Sequence, residues 1–296
     1  METLVPHNGS SDHASLLRSA IARIEGRGGQ DAPGCGRRLP VRLGEKLALD
    51  RALGNGLGGG TLSEILPASP GDMAAACGFV LALALRLAGF DGPCPRTLIW
   101  IIEDFAALEQ GAPYGPGLLW LGLAPENLVL VRVPRGQEAL WALETALKAR
   151  GTIVIGELWA QHRLYDLTAS RRLALAARAS GSPGLILHGR AGGGPASAAA
   201  TRLEIAGLSS AKEACAAHRL PLSGLPLPGP PAWAVRVAKA RAGPQASAHD
   251  PERRHLIVWN KAKGCFCDAL PVSSSPVSAH RPYRAEHADA GFAKAG

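Results

Sequence analysis

From Leu39 to about Leu208 the chain alternates two patterns. Short, nearly continuous apolar runs predict strands at 61–66, 97–102, 127–131, 152–155, 184–187 and 201–205. Such runs suit parallel strands covered on both faces. Between them, apolar residues recur every three or four positions and predict helices at 72–87, 116–121, 137–150 and 168–179. Leu140, Leu143 and Leu147 form one stripe of the third of these. Gly151 and Gly181 stand at the C-terminal stops of the last two, and Asp166 or Thr168 can cap the fourth. Strand–helix alternation implies right-handed crossovers and a doubly wound sheet.

The flanks read differently. Residues 14–25 space Leu17, Ile21 and Ile24 as one amphipathic helix, followed by a Gly-rich basic stretch to Arg38. An apolar stripe on a tether can fill a partner's groove or fold back on its own sheet. Residues 220–231 form a Pro-rich linker, two short strands are expected at 233–238 and 255–259, and the chain beyond Asp268 has the composition of a disordered tail. The expected organisation is therefore 1–38, N-terminal helix and linker; 39–220, α/β core; 221–296, linker, short β segment and basic tail.

Composition adds three constraints. With 47% hydrophobic and 19% charged residues among 296, the chain can bury a sizeable core. Its net charge is +8, and residues 231–296 carry ten Lys/Arg against five Asp/Glu. That excess suits an anionic partner or a solubilising tail. Arg236, Lys239 and Arg241, near Trp233 and Trp259, are the candidate single-stranded-DNA contacts, against the alternative of a small terminal hairpin with solvated charges. The six cysteines are scattered, with Cys265 and Cys267 too close for the usual zinc spacing, so reduced thiols and a cytoplasmic location are expected. No leader-like segment is read at the N-terminus, and the apolar run from Met73 to Leu85 is shorter than the ~20 residues of a membrane span.

Residues 47–85, LALDRALGNGLGGGTLSEILPASPGDMAAACGFVLALAL, resemble the opening of the RecA core. Leu49, Asp50, Ala52, Leu53, Gly54, Leu57, Gly59, Glu64 and Ile65 fit a lead-in, a strand ending in Glu-Ile, a phosphate loop and an apolar helix, in that order. The resemblance implies an α/β, RecA-like, doubly wound and mostly parallel sheet flanked by helices, with the N-terminal helix and a basic C-terminal extension. The loop departs from the pattern. A working loop uses glycines to wrap backbone N–H groups round phosphate, a Lys on the β/γ oxygens and a hydroxyl on Mg²⁺. Here Pro67 replaces the first glycine, Asp72 (or Gly71 one register away) the second, Met73 the Lys and Ala74 the hydroxyl residue. Prolines remove donors and Asp72 repels phosphate, so no nucleotide, metal or other cofactor is expected. Glu157 follows the fourth strand where an acidic Mg²⁺ partner would stand, and reads as a solvated loop carboxylate. Glu103 and Asp104 follow the second strand.

The stretches GTLSEI, EQGAPYGPGLLWLGLAPENLVLV, RGQEALWALETAL, YDLTASRRLALAARASG and SAAATRLEI resemble the ImuA family of damage-inducible mutagenesis proteins, which are degenerate RecA-like chains. That resemblance implies a non-enzymatic accessory of translesion synthesis in the SOS response. Its partners would be an inactive Y-family-like polymerase homologue and an error-prone polymerase, with RecA and single-stranded DNA as further candidates. A cell-division inhibitor and an ATPase with an unconventional loop remain alternatives. The histidines have no metal-ligand spacing and the serines no nucleophile context. Trp100, Trp120, Trp141 and Trp159 are expected to pack in the core.

Overall fold

The computed structural model describes residues 40–89, 97–159, 164–192, 194, 196–209, 229–240, 250 and 252–269. The expected helix with Leu17, Ile21 and Ile24, Arg241 and the tail beyond 269 lie outside these residues.

Nine strands form one sheet: β1 (Leu62–Pro67), β2 (Thr97–Glu103), β3 (Leu128–Val133), β4 (Thr152–Leu158), β5 (Gly184–His188), β6 (Thr201–Leu208), β7 (Ala232–Ala240), β8 (Arg254–Asn260) and β9 (Cys265–Asp268). Their order is β3-β2-β4-β5-β1-β6-β7-β8-β9. The first six run parallel; β7, β8 and β9 are added antiparallel. Every expected strand is present, most of them a residue or more longer than their apolar run. The helices are α1 (Ala48–Ala52), α2 (Met73–Ala88), α3 (Asp104–Gln110), α4 (Gly115–Leu121), α5 (Gly136–Lys148) and α6 (Leu167–Ser180).

The alternation of strand residues divides the core in two. On one face, Ile65, Ile102, Ile155, Leu187 and Leu203 pack against α2. On the other, Leu62, Ile101, Val154 and Ile186 pack against Leu143 and Leu147 of α5 and Leu173 and Ala177 of α6. Gly156 lets α5 come close, because a Cβ there would lie 2.5 Å from the Leu143 side chain. The Asp166 carboxylate caps α6 by accepting from Ala169 N at 2.7 Å, and Gly181 ends it at φ 77.

Helix α2 is buried nearly all round, from Met73 through Phe79, Val80 and Leu83 to Ala88. The sheet covers one side and the apolar lead-in residues Leu43, Leu47, Leu49, Leu53 and Leu57 cover another. Residues 70–88 have the length and hydropathy of a membrane span, and this burial accounts for both. The far end of the sheet also curls over α2. Phe266 of β9 lies 5.5 Å from Phe79 and 5.0 Å from Trp259, and Trp233 lies 5.7 Å from Phe79. Trp233 Nε1 donates to Ala75 O at 2.8 Å, and Trp259 Nε1 reaches Leu121 O of α4 at 3.4 Å. Residues 232–268, expected as a short β segment, thus complete the main core. A strongly twisted nine-stranded sheet brings its edge round in this way.

Two expectations about tryptophan fail. Trp100 is buried, but Trp120 and Trp141 are 54% and 70% exposed. Each sits on an amphipathic helix whose stripe runs along other positions, Leu118 in α4 and Leu143 and Leu147 in α5. A large apolar side chain outside the stripe has no sheet to pack on.

Candidate functional site

The strand–turn–helix unit that would hold a nucleotide lies at the centre of the sheet, between β5 and β6. Strand β1 ends at Pro67, Ala68 N donates to Ile205 O at 2.8 Å, and a single 3-10 turn, Pro70–Asp72, leads into Met73. Asp72 is committed to protein contacts. Its Oδ2 accepts from Ser69 Oγ at 2.6 Å and its Oδ1 from Gly207 N at 2.8 Å. The Ser69 hydroxyl and then the Gly207 amide hold the carboxyl below its usual range, so it is charged at neutral pH. A fixed negative charge there cancels the positive end of the α2 dipole. Met73 is buried within the core of α2, and Ala74 presents only a methyl group.

Three further carboxylates close on the sheet. Glu64 of β1 is fully buried, accepting from Tyr165 Oη at 2.7 Å and from Arg202 Nε at 2.6 Å. Burial works to raise its pKa, but Ser197, Arg202 and Tyr165 outweigh it and hold the group ionised. Glu103, at the end of β2, accepts from Trp159 N at 3.3 Å. Glu157 is not the solvated loop residue expected from the sequence. Strand β4 runs on through Leu158, and Glu157 is 4% exposed. Burial, with Glu103 nearby, pushes its carboxyl up to about 7. Burial and the Glu157 charge push the Cys77 thiol of α2 to about 12. Glu157 thus lies toward α2, on the side of the phosphate-loop position. Among the described residues no group of His, Cys, Asp and Glu has a metal-binding arrangement.

The basic candidates near the C-terminus are held by neighbours. Arg236 forms ion pairs with Glu204 at 2.5 Å and Glu252 at 3.5 Å, and Lys239 Nζ donates to Ser197 O at 2.8 Å. Trp233 and Trp259 are 2% and 3% exposed, so neither offers a face for base stacking. Sequence reasoning missed a different surface. Strand β3 is a sheet edge with Val129 and Leu130 exposed on opposite faces. Of the helices packed on β2 and β3, α3 exposes Phe105 and Leu108 and α5 exposes Trp141; Leu119 and Trp120 of α4, whose backbone meets Lys261 and Trp259, are exposed as well. Its signal was present in the sequence, as apolar residues outside the helical stripes.

A mixed sheet with β1 between β5 and β6, helices on both faces and the β1–turn–α2 unit at its middle resembles the RecA-like class of α/β proteins, with the phosphate-loop position occupied by protein groups. The chain is similar to Protein ImuA: it is 34% identical over 161 residues to the proteins of that name from Caulobacter vibrioides strains NA1000 / CB15N and ATCC 19089 / CIP 103742 / CB 15. The match spans 49% of this chain and 61% of those relatives. It agrees with the resemblance read from the sequence. No protein-family model matches the chain. The crystal structure of the RadB recombinase aligns with 78% of this chain and 100% of its own, at TM-score 0.45 and 14% identity.

Proposed function

We propose that this chain is a non-catalytic accessory protein of damage-induced translesion synthesis, a cytoplasmic adaptor that binds polymerase-like partners. The similarity to Protein ImuA supports the mutagenesis context. The observation that carries the non-catalytic part is Asp72, charged and tied to Ser69 and Gly207 at the head of α2 where a nucleotide would place its phosphates. The adjacent Met73 side chain is buried in the core and supplies no cation.

The adaptor part is supported by the apolar side chains left exposed around the β3 edge, among them Val129, Leu130 and Trp141. Exposed aromatic and aliphatic groups of this kind mark protein-binding faces. The stripe of Leu17, Ile21 and Ile24 is the second proposed contact, and Arg236, Lys239 and Arg241 remain the proposed contacts to single-stranded DNA. The experiment is titration of the full chain with ATP and Mg²⁺ by calorimetry, alongside co-purification with polymerase-like proteins from damage-treated cells. The expected result is no saturable binding below millimolar ATP and a stable hetero-complex. Sub-millimolar Mg²⁺-dependent binding with turnover would favour the ATPase alternative.

A further inference from the structure

A cavity of about 470 Å³ opens beside the C-terminal end of α2, lined by Arg42, Gly44, Glu45, Arg86, Lys263 and Cys265. Three parts of the chain meet there: the turn before α1, the last turn of α2 and the β8–β9 connection. Arg86 lies near the far end of α2 from Met73, roughly 20 Å along the helix, so the cavity is not a remnant of the phosphate-loop site.

Of the cationic groups, Arg86 is held by a side-chain bond, while Arg42 and Lys263 are exposed and sit on braced backbone turns. Arg86 Nε donates to Arg42 O at 2.8 Å, which fixes the guanidinium and leaves its two terminal nitrogens for a ligand. Lys263 follows a turn in which its own N–H donates to Asn260 Oδ1 at 3.1 Å and Gly264 takes φ 54. The 41–45 turn is braced by Asp50, which accepts from Leu43 N at 2.8 Å and Gly44 N at 3.1 Å.

The charge sets the class of ligand. Three cations and one carboxylate, Glu45, line the cavity, so it attracts an anion. Phosphate oxygens, whether of a phosphodiester or of a free phosphate, accept from Arg and Lys donors alike, and the two are separated by the test below. No aromatic side chain lines the cavity, so it has no means of reading or stacking a base. We propose that this cavity binds a phosphodiester of a nucleic-acid backbone, without regard to base. The proposal rests on the cavity alone, so it and the adaptor reading can fail separately.

The test uses the full chain and labelled oligothymidylate, followed by fluorescence anisotropy across a salt series. Arg42 and Lys263 are exposed, which makes charge reversal there compatible with folding. R42E with K263E is expected to weaken binding at least tenfold and to flatten the salt slope by about 1.4 units, or ~0.7 for each lost single-strand contact. R42K with K263R, which keeps both charges, is expected to bind like the parent. Equal binding by the reversed variant overturns the proposal. So does equal loss in both variants, which would locate the effect in folding rather than charge. A last arm measures inorganic phosphate by calorimetry. If it binds the parent and not the reversed variant while oligothymidylate ignores the change, the ligand is a free phosphate and the nucleic-acid assignment fails.

Discussion

At Glu157 desolvation opposes ionisation. Its folded-state carboxyl titrates near 7, against 4.5 for the unfolded group. A raised carboxyl pKa means the folded chain holds its proton longer than the unfolded chain. Its stabilising contribution is therefore complete below pH 4.5 and is lost as pH rises through 7. Two and a half units correspond to about 3 kcal/mol. Glu103 and Asp50, also raised by burial, act in the same direction; Glu64, held ionised, acts oppositely. The variant E157Q should flatten the fall in stability between pH 5 and 8 by roughly 2–3 kcal/mol, read from urea midpoints at each pH. An unchanged pH profile would mean the side chain is solvated. At Asp72 a different outcome is expected. D72A frees an exposed hydroxyl and a surface amide, so the cost should stay near 1 kcal/mol, and ATP should still not bind because Met73 supplies no cation. Appearance of ATP binding in that variant would show the carboxylate to be the only barrier.

Among the elements, the long buried strands were legible because a run such as TLIWII or TIVI has no polar face to misplace. Helices α2, α4, α5 and α6 were legible from their apolar spacing and stops. Other elements had no comparable signal. Helix α3 follows directly from the β2 carboxylate in seven residues, and α1 is one turn held by Asp50, so neither spans enough turns to show a period. Strand β9 is four residues, CFCD, and is defined by its pairing with β8 and by Phe266 inserting among Phe79, Trp233 and Trp259. Glu157 was misread for a related reason: the apolar run stops at Ile155, while the strand continues under α2 through a glycine and an acid. The place of Phe266 gives the element-scale prediction. F266A should cost about 3–5 kcal/mol, as for an aromatic deleted from a closed core, and should release β9 first. Hydrogen exchange would then show lost protection at 265–268 before the parallel strands. A small uniform loss would mean that β8 and β9 do not depend on this anchor.

For the molecule as a whole, the two ends of the sheet are treated oppositely. The β9 end curls over α2 and buries its aromatics, while the β3 end leaves Val129, Leu130 and Trp141 in solvent. An open strand edge flanked by apolar side chains is costly to leave uncovered, because it invites pairing with other chains. On the adaptor reading proposed above, a partner covers this edge. Central aromatic anchors dominate interface energy, so Trp141 on one face of the edge and Leu130 on the other should matter more than the exposed Arg132–Asp104 pair. Replacing Trp141 and Leu130 with Asp touches residues that are 70% and 41% exposed, so the fold should survive with its urea midpoint little changed. Co-purification with the proposed polymerase-like partner should fall at least tenfold. A parallel variant with Leu17 and Ile21 changed to Asp separates the two proposed contacts. If only the second variant loses the partner, the N-terminal stripe is the docking element and the β3 edge serves something else. If neither loses it while both stay folded, the adaptor reading has the wrong surfaces altogether.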